Sequence, residues 1–430
     1  MNNILVLGSG GREHAIVSSL SNDKNVNKIY CAPGNPGISN IAINISIDLK
    51  SNEDVYNLIC KYKITHTVVG PEGPLENGIV DYLKDKGCKV FGPTKFASKL
   101  ESSKLFARNF METYSIPQPS YFECSCEEEV ISVSTKLGFP IVLKADGLAA
   151  GKGVIICYNQ SELDDAMDQM FVSNKFGDAT NKISVEECLV GEEISIFLVS
   201  DGDNYKILNS AQDHKRVFNN DKGPNTGGMG AYCPSPLFDE KLKKKVVDDI
   251  IEPTINGMKD LGHPYEGFLY IGLMIVNDEP YVIEFNVRLG DPEAQVILPM
   301  IDTSFFEVLD KTIVKSLNEI EINIKDGFSV CVVLCSRGYP EKYKSGCIIN
   351  GLDKLDPSLV LHAGTQYINH TYRTNGGRVL NIIGYSNSLE DAIKRAYENV
   401  KIINFDGMHY REDIGSKGLK YLSKGLEYDK

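Results

Sequence analysis

Four short apolar runs within the first hundred residues, ILVLG, KIYCA, THTVVG and KVFG, each pass straight into glycine, proline or a small residue. Runs of this length separated by helix-like segments are how strands covered on both faces read, because such strands carry no polar alternation. The pattern predicts a small, doubly wound βαβ domain over residues 1–100. Open α/β sheets receive ligands beyond the carboxyl ends of their strands. There the chain places GSGGREH, APGNPG, GPEGPL and GPTKFASK, four loops that one crevice can collect.

Gly8, Gly10 and Gly11 follow a strand and open a helix, so backbone N–H groups can approach a phosphate near the positive end of the helix dipole. The dinucleotide fingerprint is incomplete. Its third glycine would fall at Glu13, and residues 24–47 contain no Asp or Glu to hold a ribose. Asn35 and Gly37 of APGNPG suit a small phosphorylated ligand better than NAD, with a tight structural turn as the plain alternative.

The 430 residues imply about three domains. No apolar run approaches the roughly 18 residues of a membrane span. The opening NNILVLGSGG has no basic segment before an apolar one, so a cytoplasmic setting is expected. A net charge of -13 disfavours nucleic acid as a partner. The 11 cysteines lack a CxxC pair and read as reduced thiols, several in apolar runs such as VCVVLC.

A helix-like segment over residues 98–114 and the prolines of SIPQPSYF suggest a new unit from about 101. Strand-like runs over 121–193 make a compact α+β subunit, YEGFLYIGLMIV and PYVIEFNVR bracket a turn at NDE, and a last α+β unit starts near Phe328. The expected domains are therefore 1–100, 101–327 and 328–430.

Four stretches carry chemistry. In LKADGLAAGKGVII, residues 143–156, Gly147, Gly151 and Gly153 permit close backbone approach to a triphosphate, and Lys144 or Lys152 offsets its charge. It is not a Walker loop, since Gly153 stands where Ser or Thr is required. In VEECLVGEEIS, Glu186 and Glu193 sit seven apart and could meet an adenine amino group and a ribose hydroxyl; the bland reading is a solvated acidic hairpin. In VIEFNVRLGDPEAQ, strand alternation puts Glu284, Asn286 and Arg288 on one face, two oxygen ligands for Mg²⁺ beside a guanidinium that stabilises transferred charge. The polar stretch 211–236 reads as a long functional or mobile loop, with Asp213 able to hold an ammonium and His214, Lys215 and Arg216 able to attract phosphate or carboxylate.

Together LVLGSGGREHA, LKADGLAAGKGV, VEECLVGEE, QDHKR, GPNTGGMGAY and EFNVRLGDPE closely resemble the phosphoribosylamine–glycine ligases (glycinamide ribonucleotide synthetases) of the ATP-grasp superfamily, over nearly the whole chain. GPNTGGMGAY and GDPE are distinctive of this ligase, whereas the lysine and EFN elements are shared more widely.

The resemblance implies a central ATP-grasp domain with a mobile glycine-rich flap over about 121–193. It further implies ATP-dependent ligation of glycine to 5-phosphoribosylamine through glycyl phosphate, in purine biosynthesis, by a monomer using Mg²⁺ or Mn²⁺. On that reading Lys104 and Lys144 contact nucleotide phosphates, and Glu186, the Leu189 backbone and Glu193 hold adenosine. The sugar phosphate meets Gly10, Gly11, Asn35, Gly37, Glu72 and Gly73. Asp213 and Arg288 hold glycine, Glu284 and Asn286 the metal, and Arg288 and Lys144 are catalytic. Two segments depart from the family pattern. VFNNDK replaces a run usually rich in glycine and aspartate, and DIGSKGL has Ser416 and Lys417 where histidine and arginine are typical.

Overall fold

The computed structural model describes residues 2–147, 153–172 and 180–428. Strand Asn2–Gly8 lies at the centre of a five-stranded parallel sheet. Val26–Pro33 and Ile43–Asn44 extend it on one side, His66–Val69 and Val90–Phe91 on the other. Ile4, Leu5, Val6 and Leu7 are all fully buried, which is why the run is apolar without alternation. At its end Gly8 has φ 122°, and a Cβ there would lie 2.4 Å from Glu13 Cγ. Glycine alone lets the chain turn here into helix Gly11–Ser21. Glu13 accepts from the Gly10 N–H at 2.6 Å, supplying the acceptor a glycine cap lacks.

The largest element is an eight-stranded antiparallel sheet. Its order is Glu279–Asn286, Glu266–Val276, Glu192–Asp201, Tyr205–Asp213, Gly230–Cys233, Phe328–Cys335, Arg378–Ser386 and Val360–His362. Strand Glu192–Asp201 alternates between two cores. Ile194, Ile196 and Leu198 join Leu5 and Leu7, while Phe197 and Val199 join Ile4 and Val6. The N-terminal sheet and the large sheet thus share hydrophobic interior, and the large sheet crosses residue 328 unbroken through the pairing of Gly230–Cys233 with Phe328–Cys335. On its far end, helix Leu389–Val400 packs against the sheet. A Cβ on Gly384 would lie 2.2 Å from Ala392 O, an approach only glycine permits.

A third sheet, ordered Tyr121–Cys124, Ile183–Glu187, Ile141–Ala145 and Val154–Cys157, encloses a separate small core built on Val130, Leu143, Met170 and Val185. The whole is a multidomain α/β and α+β architecture.

Local expectations needed three corrections. The helix over 98–114 is two helices, Lys99–Ser102 and Lys104–Thr113, broken at Ser103. The Ser103 hydroxyl accepts from Phe106 N at 3.0 Å and donates to Asp146 Oδ1 at 3.0 Å. The acidic stretch around Glu186 is no hairpin, because Ile183–Glu187 belongs to the small sheet and Glu192–Asp201 to the large one. The polar stretch 211–236 is not a loop but strand ends and a short hairpin, Arg216–Phe218 with Lys222–Asn225. The NDE turn does form, with Asn277 and Asp278 at φ 52° and 63°, as a tight hairpin of right-twisted strands requires. No described helix is long and apolar enough to cross a membrane.

Candidate active site

The carboxyl end of the parallel sheet, one edge of the large sheet and the glycine loop of the small sheet meet around a cavity of about 400 Å³. Five basic side chains (Arg12, Lys104, Lys215, Arg288, Arg378) and six acidic ones (Glu72, Glu101, Asp213, Glu284, Asp291, Glu293) line it. Two larger cavities, of about 550 and 530 Å³, open behind helix Gly11–Ser21. The first is lined by one carboxylate and no lysine or arginine, the second by Asp23, Asp302 and Lys325. Charge density therefore marks the smaller cavity as the chemical one.

Of the residues expected from sequence, Glu72, Lys104, Gly147, Gly153, Asp213, Glu284, Asn286 and Arg288 line this cavity. Strand Glu279–Asn286 and the turn after it bring Glu284, Asn286 and Arg288 to one wall. Glu284 accepts from Lys215 Nζ at 3.1 Å, and Lys215 also pairs with Glu193. Burial opposes the Glu284 charge, but Lys215, Lys104 and Lys144 outweigh it and hold the carboxyl at about 2. Burial likewise works against the Lys215 ammonium, and Glu193 and Glu284 raise it well above the ordinary lysine value. Arg288 donates to Glu101 at 2.9 Å and lies 3.3 Å from Glu72. Glu101, almost fully buried, accepts also from Val287 N at 2.8 Å. Burial raises its pKa although Arg288 pulls the other way.

Lys144 and Glu186 lie just behind the wall. Glu186, 1% exposed, accepts from Lys144 at 2.8 Å, from Arg108 at 2.6 and 2.9 Å, and from Ser184 at 3.0 Å. Burial pushes its carboxyl up, but Lys144 and Arg108 overcome this and hold it at about 2. Burial lowers Lys144 to about 8, with Glu186 opposing the fall and Arg108 adding to it. Glu186 is thus saturated by cations in this conformation, and its immediate structural task is to hold Lys144. Leu189 is half-buried in the connector between the sheets. Gly151 and Lys152 lie outside the described residues.

The expected sugar-phosphate residues divide. Gly73 has nothing within 4 Å of a Cβ position and is open, and Gly10 faces Glu13 and Asp291. Gly11 is tightly packed, since a Cβ there would meet Asn381 and Gln295 at 2.4 and 2.5 Å. Asn35 spends its side chain on structure. It donates to Ser9 O at 2.9 Å and His362 O at 2.8 Å, and accepts from the N–H groups of Gly37 and Ile38. Gly37 lines the 550 Å³ cavity instead and packs on His14 and His362. This pair secures the loop; the cavity contacts come from its neighbours.

Sequence reasoning did not assign Arg12, Glu101, Asp291, Glu293 or Arg378. Asp291 and Glu293 stand in the quoted GDPE, Arg12 in GREH and Arg378 in TNGGRVLN, so their signal was present without a role. Glu101 had none. Burial raises Asp213 well above the ordinary carboxyl value, with Glu293 adding to it and Lys215 opposing; burial raises Glu293 too.

Three family models match in succession: the N domain of phosphoribosylglycinamide synthetase over residues 2–101, its ATP-grasp (A) domain over 102–294 and its C domain over 329–417. The chain belongs to the phosphoribosylglycinamide synthetase family. Family members of similar length include the phosphoribosylamine–glycine ligase of Caldanaerobacter subterraneus subsp. tengcongensis, 41% identical over 413 residues, covering 96% of this chain and 99% of that one. The bifunctional purine biosynthetic protein of Dictyostelium discoideum is 41% identical over 98% of this chain but 56% of its own length. Among solved structures, the family's Thermotoga maritima phosphoribosylamine–glycine ligase superposes with a TM-score of 0.85 at 33% identity, covering 96% of this chain and all of that one. The biotin carboxylase domain of Hydrogenobacter thermophilus 2-oxoglutarate carboxylase, solved with Mg-ADP, shares the fold alone, with a TM-score of 0.70 at 16% identity over 95% of this chain and 91% of that one. The synthetase family's ATP-grasp domain implies that this chain binds ATP.

Proposed function

We propose that the 400 Å³ cavity carries out the reaction of this family of ATP-dependent ligases, joining glycine to 5-phosphoribosylamine to give glycinamide ribonucleotide, ADP and phosphate in purine biosynthesis. The observation that carries the reading is the chain Glu193–Lys215–Glu284, which runs from beside the cavity to its wall and joins the residue expected at the ribose to the one expected at the metal. ATP then lies across the junction of the two antiparallel sheets. Lys104, Lys144 and the loop at Gly147 and Gly153 meet its phosphates, and Glu186, the Leu189 backbone and Glu193 surround its adenosine.

A glycine carboxylate oxygen attacks the γ-phosphorus, the bond to the β-phosphate oxygen breaks, and ADP leaves with that electron pair. The amine of phosphoribosylamine then attacks the glycyl carbonyl carbon, the bond to phosphate oxygen breaks, and the departing phosphate takes the amine proton. Arg288 stands where negative charge develops, held in aim by Glu72 and Glu101. Asp213 suits the glycine ammonium, because an arriving cation restores the ionised form that burial disfavours. Gly10, Gly11, Glu72 and Gly73 face phosphoribosylamine, with Asn35 and Gly37 fixing their loop.

Glu284 and Asn286 offer one carboxylate and one amide oxygen on the same wall, and Glu284 is held ionised. This hard, oxygen-only pair fits Mg²⁺ or Mn²⁺, which would screen phosphate charge. Lys215 meets Glu284 through Oε1, which would leave Oε2 for the ion. We extend the reading to a cytoplasmic protein that acts as a monomer, the second of which light scattering checks.

The test is ADP release by purified protein with Mg²⁺ and ATP, supplying glycine and freshly generated phosphoribosylamine separately and together. Product of glycinamide ribonucleotide mass is expected only in the complete mixture. ADP release without that product overturns the reading.

A further inference from the structure

The two segments that depart from the family pattern lie far apart in sequence, yet the fold brings them into contact. Hairpin Arg216–Asn225 has its base in the active-site cavity and its tip outside. At the base, Thr226 N and its hydroxyl both donate to Lys215 O at 2.8 Å, and Lys215, Asn225, Thr226 and Gly227 line the cavity. At the tip, Asn220 and Asp221 are both in the left-handed region, with φ 59° and 52°. Asn and Asp tolerate that region, as Asn277 and Asp278 do in their own hairpin, so what sets this tip apart is the segment packed on it.

What holds them is the segment 409–417, none of which lines the cavity. Arg411, 1% exposed, donates to Asp221 at 2.8 Å, to Arg216 O at 3.0 Å, and through Nε and Nη2 to Asp413 at 2.7 Å each. Asp413 accepts also from Asn220 N at 2.8 Å. Lys417 reaches the second Asp221 oxygen at 2.8 Å. Phe218 sets its ring edge-on to His409, whose Nε2 lies 2.9 Å from Val217 O. Inside, Gly415 N approaches His214 Nε2 at 3.4 Å, tying the same segment to the residue before Lys215.

We propose that residues 411–417 form a clamp that positions the hairpin for ATP binding, with Arg411 and Lys417 gripping Asp221 so that Lys215 stays fixed between Glu193 and Glu284. Phe218 and Lys417, the departures at the two ends, act as parts of one contact, through His409 and Asp221 respectively. These are positioning residues. The inference rests on the placement of ATP beside Lys215 in the proposed function.

The test measures KM for all three substrates, ATP affinity by calorimetry, and thermal unfolding, in the full chain carrying Lys417→Glu, Lys417→Arg or Asp221→Asn. The first sets like charges together at a half-exposed pair. The third removes the gripped charge without added bulk, and carries the test should the first fail to fold. Lys417→Glu and Asp221→Asn are expected to weaken ATP, in KM and in calorimetric Kd, three- to ten-fold. Phosphoribosylamine, which meets the other sheet, should stay within two-fold, and Lys417→Arg should match the unaltered protein. A clamp with only a structural role lowers Tm and the active fraction while ATP Kd stays constant, and that result overturns the proposal. Because the Kd needs no turnover, failure of the unaltered protein to make glycinamide ribonucleotide would count against the proposed function and leave the clamp measurement standing.

Discussion

The small four-stranded sheet and the body of the molecule both contribute a lysine to the site, yet they are held by different forces. The body is continuous: the parallel sheet and the eight-stranded sheet interleave Leu5, Leu7, Ile194 and Leu198 in one core and Val6, Phe197 and Val199 in another. The small sheet keeps its own core of Leu143, Val185 and their neighbours and meets the body through polar contacts. Arg108 of the body grips Glu186, Lys144 donates to Ile283 O at 2.9 Å, and Asp146 accepts from Ser103 and Leu105. Apolar burial is non-directional and is lost only by exposure to water, whereas ion pairs and hydrogen bonds can be exchanged for those of a ligand. The comparison teaches that Lys215 is built into a fixed wall, and Lys144 onto a unit whose attachment a nucleotide can rewrite.

The largest effect should come from the fixed wall. Glu284→Gln keeps the side chain's size but removes the charge that Lys215 and the metal share. Product formation should fall by about 10³-fold or more with Tm little changed, as an endpoint mass assay beside a melting curve will show; a folded variant that turns over normally removes the metal assignment. Next, Arg108→Ala strips one of the two cations from the buried Glu186 carboxylate, costing about 3–5 kcal/mol. Hydrogen exchange should show the loss in residues 121–187 first. Uniform loss of protection across the body would mean that the two regions unfold together.

Leu143→Ala and Leu5→Ala form a matched pair, each expected to cost about 2–5 kcal/mol. The first should appear as an early, separate transition in urea, the second as a shift of the main one. A single coincident transition for both breaks the comparison. The smallest effect is a titration. Lys144 sits at about 8, below its unfolded value, so folding disfavours its charged form and the protein gains stability as pH rises from about 8 towards the unfolded lysine range. Phosphate binding needs the ammonium, so kcat/KM for ATP should fall about ten-fold per pH unit above that point. Lys144→Arg should flatten the profile there; an unchanged slope assigns the titration to another group.

Much of the site was legible because its residues lie on short, regular stretches. The alternation of VIEFNVR brings Glu284, Asn286 and Arg288 to one wall, and the glycines at 147 and 153 mark the cavity's edge. Asn35 and Gly37 show the limit of such reading. A loop at the carboxyl end of a parallel strand points to a ligand, but whether a given side chain faces the crevice or ties the loop down depends on His362, which lies 327 residues away in the hydrogen bond it completes. Glu186 is similar. Its acidity was visible, whereas its saturation by Arg108 and Lys144 comes from two other elements.

What the sequence determined by itself was the set of local instructions. Apolar runs without alternation built a doubly covered parallel sheet, Gly8 placed a turn where no side chain fits, and the polar residues of one strand faced one way, since backbone sterics and side-chain period act over a few residues. Tertiary structure alone decided that the large sheet would run through the expected domain boundary, that eleven charged side chains from all three units would converge on one cavity, and that Asp221 would meet Lys417. Those outcomes depend on which surfaces remain apolar enough to bury and which charges remain unpaired once every element has formed, a balance no single segment contains.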